Sequence, residues 1–362
     1  MRSPVLGHVK QLLRGCDQIE TADEALNEMR WMLLKLRPSD TRLAHAFAAE
    51  TTQAHVRRRL RLLRHAWRLM DPRACGVAGK VHSILLQSTQ RTLIARPSKA
   101  SWITQRAANK PLQYILGTLP FAGLDLRTRR PTLIPRWETE EWAMTVVSNL
   151  SAAHNSHSNK PINVLDLCTG SGCIGLSLAH HIPTVRVLAL DNSRSAVKLA
   201  SLNARRNHLE HRVAVRELDL FRHSDPLHAA ENIQTLFKDA FKLTSDDINS
   251  NEPFIHYIVS NPPYIPLQEY MHLEQSVINW EDRAALLGVD EDGAGFYRRI
   301  AQLAQVLLVP SPAGKETDRI FLEINGASQV HAVHAALVKN GFVSSNVWKD
   351  LAGNDRVVTG AI

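Results

Sequence analysis

The sequence predicts an α/β protein: a parallel sheet covered by helices on both faces, preceded by an all-helical segment and a β-hairpin linker. Three observations predict it. From residue 162 onward, short apolar runs alternate with stretches of helical periodicity. The first 110 residues carry helical spacing and no strand pattern. Between them, short apolar-aromatic pieces alternate with Gly and Pro, as hairpins do. The expected division is a helical domain over 1–110, a linker over 111–136 and an α/β domain over 137–362.

The elements follow in order. In "TADEALNEMRWMLLKL", Thr21 is an N-cap and Glu24 stands three residues on, a capping-box pattern. Ala25, Met29, Met32, Leu33 and Leu36 then fall on one helical face. Helical spacing continues from residue 41 to the break at Asp71-Pro72, and two shorter helices are expected over 81–95 and 99–108. The hairpin is expected in "LQYILGTLPFAGLDLRTRRPTLIP". Strands are expected in "INVLDL", "VRVLALD", "VAVRELD", "IHYIVS" and "RIFLEI", with helices in "CIGLSLAHHI", in "SRSAVKLASLNARRN" and near 294–309. The polar residues 222–252 interrupt this rhythm and read as a surface insertion, partly helical.

The bulk properties narrow the class. No run of about eighteen apolar residues, the length that spans a bilayer, occurs in the chain. The four cysteines, Cys16, Cys75, Cys168 and Cys173, form no CxxC pair and no zinc-spaced cluster, so a reducing compartment is expected and no metal. The formal charge is +8, but residues 51–110 carry 13 Lys/Arg against one acid, Asp71, a net +12 that leaves the rest near −4. Such a face suits a polyanionic partner or a solvated helix surface. The first sixteen residues contain Arg2, Lys10 and Arg14 and no acid; a mitochondrial presequence has this composition, and so do ordinary amphipathic helices.

"VLDLCTGSGCIGLSLA" places a strand, a glycine-rich turn and a helix in sequence. Gly170 and Gly172, with Thr169 beside them, permit a tight turn and close approach of a ligand, although βα turns use glycine for structural reasons too. No Lys-Ser/Thr follows, so this is not a phosphate loop. Asp191 at the end of the next strand can accept hydrogen bonds from ribose hydroxyls, and Asp219 at the end of the third can border an adenine. Asp166, at the start of the glycine run, would stand near a positive charge. Acids at three successive strands suit a cofactor with ribose, adenine and a cationic, phosphate-free tail; S-adenosyl-L-methionine is such a molecule.

"SNPPYIP" follows the fourth strand and so lies on the same edge. A planar NH2 group, whether a carboxamide or an adenine amine, is a poor nucleophile because its lone pair is delocalised. Acceptors fixed opposite its two N–H bonds would orient that lone pair and stabilise the charge developing on nitrogen. The Asn261 side chain and the Pro262 carbonyl can serve, Pro262 and Pro263 fix the backbone, and Tyr264 can stack on the planar group.

With these motifs the chain resembles the HemK/PrmC release-factor glutamine methyltransferases, over roughly residues 80–360. The resemblance rests on "PLQYILGTLPFAGLDL", "LIPRWETEEW", the glycine run, "SNPPYIP", "RAALLGVDEDGAGFYRRI" and "FLEINGASQ". It implies a class I, Rossmann-like methyltransferase domain behind a helical N-terminal domain and a hairpin linker. The implied substrate is the glutamine of the GGQ loop of a class-I peptide chain release factor, its amide held by Asn261 and the Pro262 carbonyl in a pocket lined by Tyr264. Asn261 would also touch the cofactor, and Phe121, Arg136, Thr139 and Glu140 would border cofactor and substrate. Trp137, where the family commonly has proline, and Asn325, in place of a frequent glycine, depart from the pattern. The N-terminal domain is expected to hold the factor, with the basic 51–110 segment facing an acidic patch of that factor or in indirect contact with RNA nearby. The N-terminal run and the basic pI favour the mitochondrial matrix over the cytoplasm. An adenine-N6 methyltransferase acting on DNA or RNA shares the NPPY motif, and a non-catalytic scaffold would share the fold; activity on a GGQ factor and binding of the cofactor discriminate among the three.

Overall fold

The computed structural model describes residues 99–153, 160–244, 253–311 and 316–362. The helices expected before residue 99, the leader-like run, most of the basic segment and residues 245–252 lie outside the described residues. The chain divides into two compact units, Met1–Ile115 and Leu116–Ile362. Described in the first are helix α1 (Lys99–Ala107) and nearly all of α2 (Leu112–Leu116), which runs to the boundary.

The second unit opens with the expected hairpin, β1 (Thr118–Phe121) and β2 (Leu124–Arg127), paired antiparallel. Its two-residue turn, Ala122-Gly123, has positive φ at both positions (47° and 80°), the geometry that matches strand twist. Helix α3 (Trp137–Ala153) follows, with Glu138 and Glu140 in its first turn, where negative charge favours the helix dipole. Its buried residues, Thr139, Trp142, Ala143, Val146, Val147 and Leu150, recur at three- and four-residue spacing.

Then come β3 (Ile162–Leu167), α4 (Cys173–His181), β4 (Val185–Asp191), α5 (Arg194–Arg206), β5 (Val213–Glu217), α6 (Pro226–Phe241) and β6 (Tyr257–Ser260). Short helices α7 (Leu267–Tyr270) and α8 (Gln275–Trp280) and a 3-10 turn, Arg283–Ala285, lead to α9 (Gly295–Leu307). The chain closes with β7 (Ile320–Glu323), α10 (Ala327–Lys339), β8 (Ser344–Lys349) and β9 (Asp355–Ala361). The seven-stranded sheet has the order β5-β4-β3-β6-β7-β9-β8. β5 to β7 are parallel, whereas β9 runs antiparallel between β7 and β8, so the sheet is mixed where the strand alternation predicts a parallel one.

Successive residues of β3 point into different cores. Val164 joins Leu176, Val187, Tyr257 and Phe321 on one face, and Leu165 joins Leu188, Ile233, Phe237 and Tyr297 on the other. Burial on both faces is why the central strands read as nearly continuous apolar runs, broken in β3 by Asn163 and Asp166 and in β4 by Arg186; each large apolar side chain so buried contributes roughly 1.5–3 kcal/mol. The stretch at 222–252 does not interrupt the βαβ rhythm as the sequence suggests. It contains α6, capped by Asp225, whose side chain accepts the backbone N–H groups of Leu227 and His228, and it buries Ala229, Ala230, Ile233 and Phe237. It holds the crossover helix between β5 and β6, whose narrow buried face is flanked by polar residues that conceal its period. Among the described residues no helix is long and apolar enough to cross a membrane.

Candidate active site

Both key turns leave the same edge of the sheet. After β3, Cys168 (φ 57°), Gly170 (φ 57°) and Gly172 (φ 85°) adopt left-handed backbone. A Cβ on Gly172 would stand 3.0 Å from Leu176 Cδ1 and 3.2 Å from Ala200 Cβ, so glycine is needed there for helix packing as well as for φ. Asp191 fastens this turn to the neighbouring strand: Oδ2 accepts the Gly170 N–H at 2.8 Å and Oδ1 accepts the Ser193 N–H at 2.9 Å. Burial pushes the Asp191 carboxyl above the ordinary carboxylate range. Asp219 lies two residues past the end of β5 rather than on it, and its Oδ1 accepts the Phe221 N–H at 2.9 Å.

Gly170, Asp191, Asp219, Asn261 and Pro263 line one cleft, together with Leu190, Leu218, Leu220 and Phe296 as an apolar wall. Two loops close it from the side, one through Thr132 and Leu133, the other through Asp282, Ala284 and Ala285. Among the described residues, its charged lining consists of Asp191, Asp219 and Asp282, with neither lysine nor arginine.

Arg136 borders the cleft indirectly. Its Nη2 pairs with Glu281 Oε1 at 2.7 Å, Glu281 Oε2 accepts the Ile134 N–H at 3.4 Å, and the Asp282 N–H donates to the Pro131 carbonyl at 2.9 Å. These bonds hold the two closing loops together. Burial raises the Glu281 carboxyl, and Arg136 offsets part of that rise. Asp166 lies beneath the glycine turn, fully buried, and is not among the lining residues. Its Oδ2 accepts from Thr169 Oγ1 at 2.6 Å and from the Gly175 N–H at 3.0 Å, and burial pushes its carboxyl up to about 7.

The NPPY loop begins where Ser260 ends β6, its Oγ donating to the Leu167 carbonyl at 2.7 Å. Pro262 and Pro263 are buried, and Asn261 Nδ2 donates to Thr139 Oγ1 at 3.4 Å. Gln329 Nε2 holds the Tyr264 carbonyl at 2.8 Å, and burial raises the Tyr264 hydroxyl above the usual phenol range. Below Asn261, Glu323 Oε2 accepts from both Thr139 Oγ1 and Trp142 Nε1, each at 2.7 Å.

Two of the residues singled out in the sequence lie elsewhere. Phe121 is buried in the core below the hairpin and is not among the cleft-lining residues, and Glu140 Oε1 accepts the Ala122 N–H at 2.7 Å, which holds the hairpin turn. Trp137 is 56% exposed, and Asn325 Nδ2 donates to Glu269 Oε2 at 2.7 Å. Sequence reasoning missed Glu281, Asp282, Glu323 and Gln329. The signal for Glu323 was an acid inside an otherwise apolar strand.

A glycine turn, an acid-lined cleft and an Asn-Pro-Pro-Tyr loop on adjoining parallel strands define a methyltransferase, and residues 146–230 match the family model of the methyltransferase small domain. Across 258 residues the chain is 34% identical to a release factor glutamine methyltransferase of Thermodesulfovibrio yellowstonii, covering 71% of this chain and 78% of that one. It is 36% identical over 251 residues to the Bacteroides thetaiotaomicron enzyme of the same name, covering 69% and 76%. It is 30% identical over 262 residues to the mitochondrial MRF1 N(5)-glutamine methyltransferase MTQ1 of Saccharomyces cerevisiae, covering 71% and 72%. The chain belongs to the release factor glutamine methyltransferase family.

Proposed function

We propose that this chain transfers a methyl group from S-adenosyl-L-methionine to the N5 nitrogen of the glutamine in the GGQ motif of a class-I peptide chain release factor. The observation that carries the reading is the cleft lined, among the described residues, by three carboxylates and no cation, with Asn261 and Pro263 of the NPPY loop in the same lining. The residues present fit the cofactor. Asp191 would hold the ribose, the Leu218, Leu220 and Phe296 wall with Asp219 would take the adenine, and the acidic lining suits a cationic tail while opposing a dinucleotide's phosphates. When bound, the cofactor supplies an electrophilic methyl on a sulfonium.

The chain's own residues position and stabilise. Asn261 Oδ1 and the Pro262 carbonyl accept the two N–H bonds of the glutamine amide, turn its lone pair toward the cleft and stabilise the positive charge that grows on nitrogen. Tyr264 packs along the amide plane. Its raised hydroxyl stays neutral at physiological pH and serves as a wall rather than a base.

Incubation with S-adenosyl-L-methionine and a GGQ release factor, followed by peptide mass spectrometry, tests the reading. One added methyl on the GGQ glutamine, with turnover about 10²–10³ lower for Asn261→Ala and cofactor affinity unchanged, is the expected result. Methylation of adenine in DNA or RNA, with none on the factor, would overturn it. The mitochondrial matrix is the proposed location, supported by the basic, acid-free start of the sequence and by relatives named as mitochondrial in two yeasts. Import of the full chain into isolated mitochondria tests that. The basic 51–110 segment is proposed to face RNA near the bound factor; charge reversal at Arg57, Arg58, Arg61 and Arg64 that leaves affinity for factor-bearing ribosomes unchanged at low salt would remove it.

A further inference from the structure

The clamp works only if Asn261 presents its oxygen, not its NH2, to the substrate nitrogen. A rotation of the side-chain amide by 180° would place a donor against a donor. Two residues one turn apart on helix α3 and a third more than 180 positions on decide between these states. Thr139, Trp142 and Glu323 are all buried, with 2%, 4% and 1% of their surface exposed. Glu323 Oε2 receives the Trp142 indole N–H, a group that can only donate, and Thr139 Oγ1 approaches the same oxygen at 2.7 Å. Thr139 has one hydroxyl proton, and it goes to Glu323. Only lone pairs then remain on Thr139 Oγ1 for its other neighbour, so Asn261 meets it with Nδ2. Asn261 Oδ1 is thereby left facing away, toward the acceptor role.

We propose that Glu323, acting through Thr139, is the positioning element that fixes the Asn261 amide in its catalytic orientation, with Trp142 holding Glu323. The polarity passes along the chain from indole to carboxylate to hydroxyl to amide, and each group has one role left when its neighbour is set. Thr139 and Glu323 need not touch the glutamine to govern its reaction. This rests on the reading of Asn261 as the acceptor for the substrate amide.

The test is a double-mutant cycle in the full chain, read as single-turnover methylation of a GGQ factor with enzyme in excess, alongside cofactor affinity and Tm. Thr139→Val, which keeps the shape and removes the hydroxyl, is expected to slow methyl transfer about 10- to 100-fold, part of the 10²–10³ that loss of a positioned group costs, with cofactor affinity unchanged. Thr139→Ser is expected to restore the rate to within about threefold, because it retains the relaying proton. Glu323→Gln, whose carbonyl can accept both donors, is expected to stay far closer to wild type than Thr139→Val. In an Asn261→Ala background Thr139→Val is expected to add nothing, since the group it orients is gone. An equal further loss in that background would show that Thr139 acts elsewhere and would overturn the proposal, as would a Thr139→Val rate equal to wild type. Near-normal turnover of Asn261→Ala alone would instead remove the clamp reading beneath it. Thr139→Ala gives the same comparison if the valine variant does not fold.

Discussion

Gln329 Nε2 donates to the backbone carbonyl of Tyr264 at 2.8 Å and fixes the far end of the NPPY loop from helix α10. The Gln329 side chain is saturated on both ends, because its Oε1 accepts the Asn325 N–H at 2.9 Å. Where the family commonly has glycine, Asn325 still supplies this backbone donor, so the departure in the sequence leaves the loop anchor intact.

The same carbonyl allows no side chain at Gly293, whose φ is +69° and whose added Cβ would stand 2.1 Å from Tyr264 O. Gly293→Ala must therefore push the NPPY loop outward. Turnover is expected to fall at least about tenfold, with a stability loss on the order of 1–3 kcal/mol and cofactor affinity near wild type. Steady-state kinetics beside calorimetric titration of the cofactor checks this; normal turnover would mean that the loop's backbone position is not critical.

Asp191→Ala is expected to weaken cofactor binding about 10- to 100-fold, the equivalent of one or two lost hydrogen bonds to a charged group. It also releases the Gly170 and Ser193 N–H groups that Asp191 now accepts. Affinity measured by titration should change far more than the thermal midpoint. Unchanged affinity would show that the ribose lies elsewhere.

Arg136→Ala leaves Glu281 buried without its ion-pair partner. Arg136 is itself partly exposed, so the loss is expected to be about 1–2 kcal/mol, below that of a fully buried pair. The folded Glu281 carboxyl already titrates above its unfolded value, so its ionisation is unfavourable to the fold as pH rises through the folded pKa. Removing Arg136 increases that effect. Denaturant titrations should therefore show a larger wild-type-to-variant gap at pH 8 than at pH 5, and Glu281→Gln should abolish the difference.

Asp166 gives a second pH dependence with the same sign. Its carboxyl titrates at about 7 in the fold against 3.8 as a free group. Between those values the folded state holds the extra proton, so stability is fully present below pH 4 and declines as pH rises through 7. The span is on the order of 4 kcal/mol. Asp166→Asn is expected to remove this part of the decline and to leave the part due to Glu281. A stability difference between wild type and Asp166→Asn that does not fall from pH 4 to pH 8 would contradict the assignment.

That the candidate site's segments share one edge of the sheet was legible because their signals are local. The glycine run, Asp191 and "SNPPY" each sit within a few residues of an apolar strand, and strand alternation puts them on one edge. What could not be read is assembled across distance. Thr139 and Glu323 meet over 184 residues, and Arg136 and Glu281 over 145. The cleft's side walls come from loops with no periodicity. β8 was hidden because "SSNVWK" is an edge strand with no fully buried residue, so no apolar alternation marks it. The resemblance implies Phe121 as a pocket residue, yet in the hairpin it is buried in the core.

β3 and β6 are hydrogen-bonded neighbours, with Leu167 opposite Ser260 and the Ser260 hydroxyl bonded to the Leu167 carbonyl. The turn that would receive the donor and the loop that would grip the acceptor therefore leave the sheet side by side, one strand spacing of about 4.8 Å apart. On the proposed reading, this pairing of two central strands is a ruler that sets the interval between the reactants. Everything outside that ruler, from the closing loops to whatever presents the glutamine, is free to vary in shape and partner while the length of the methyl's journey stays the same.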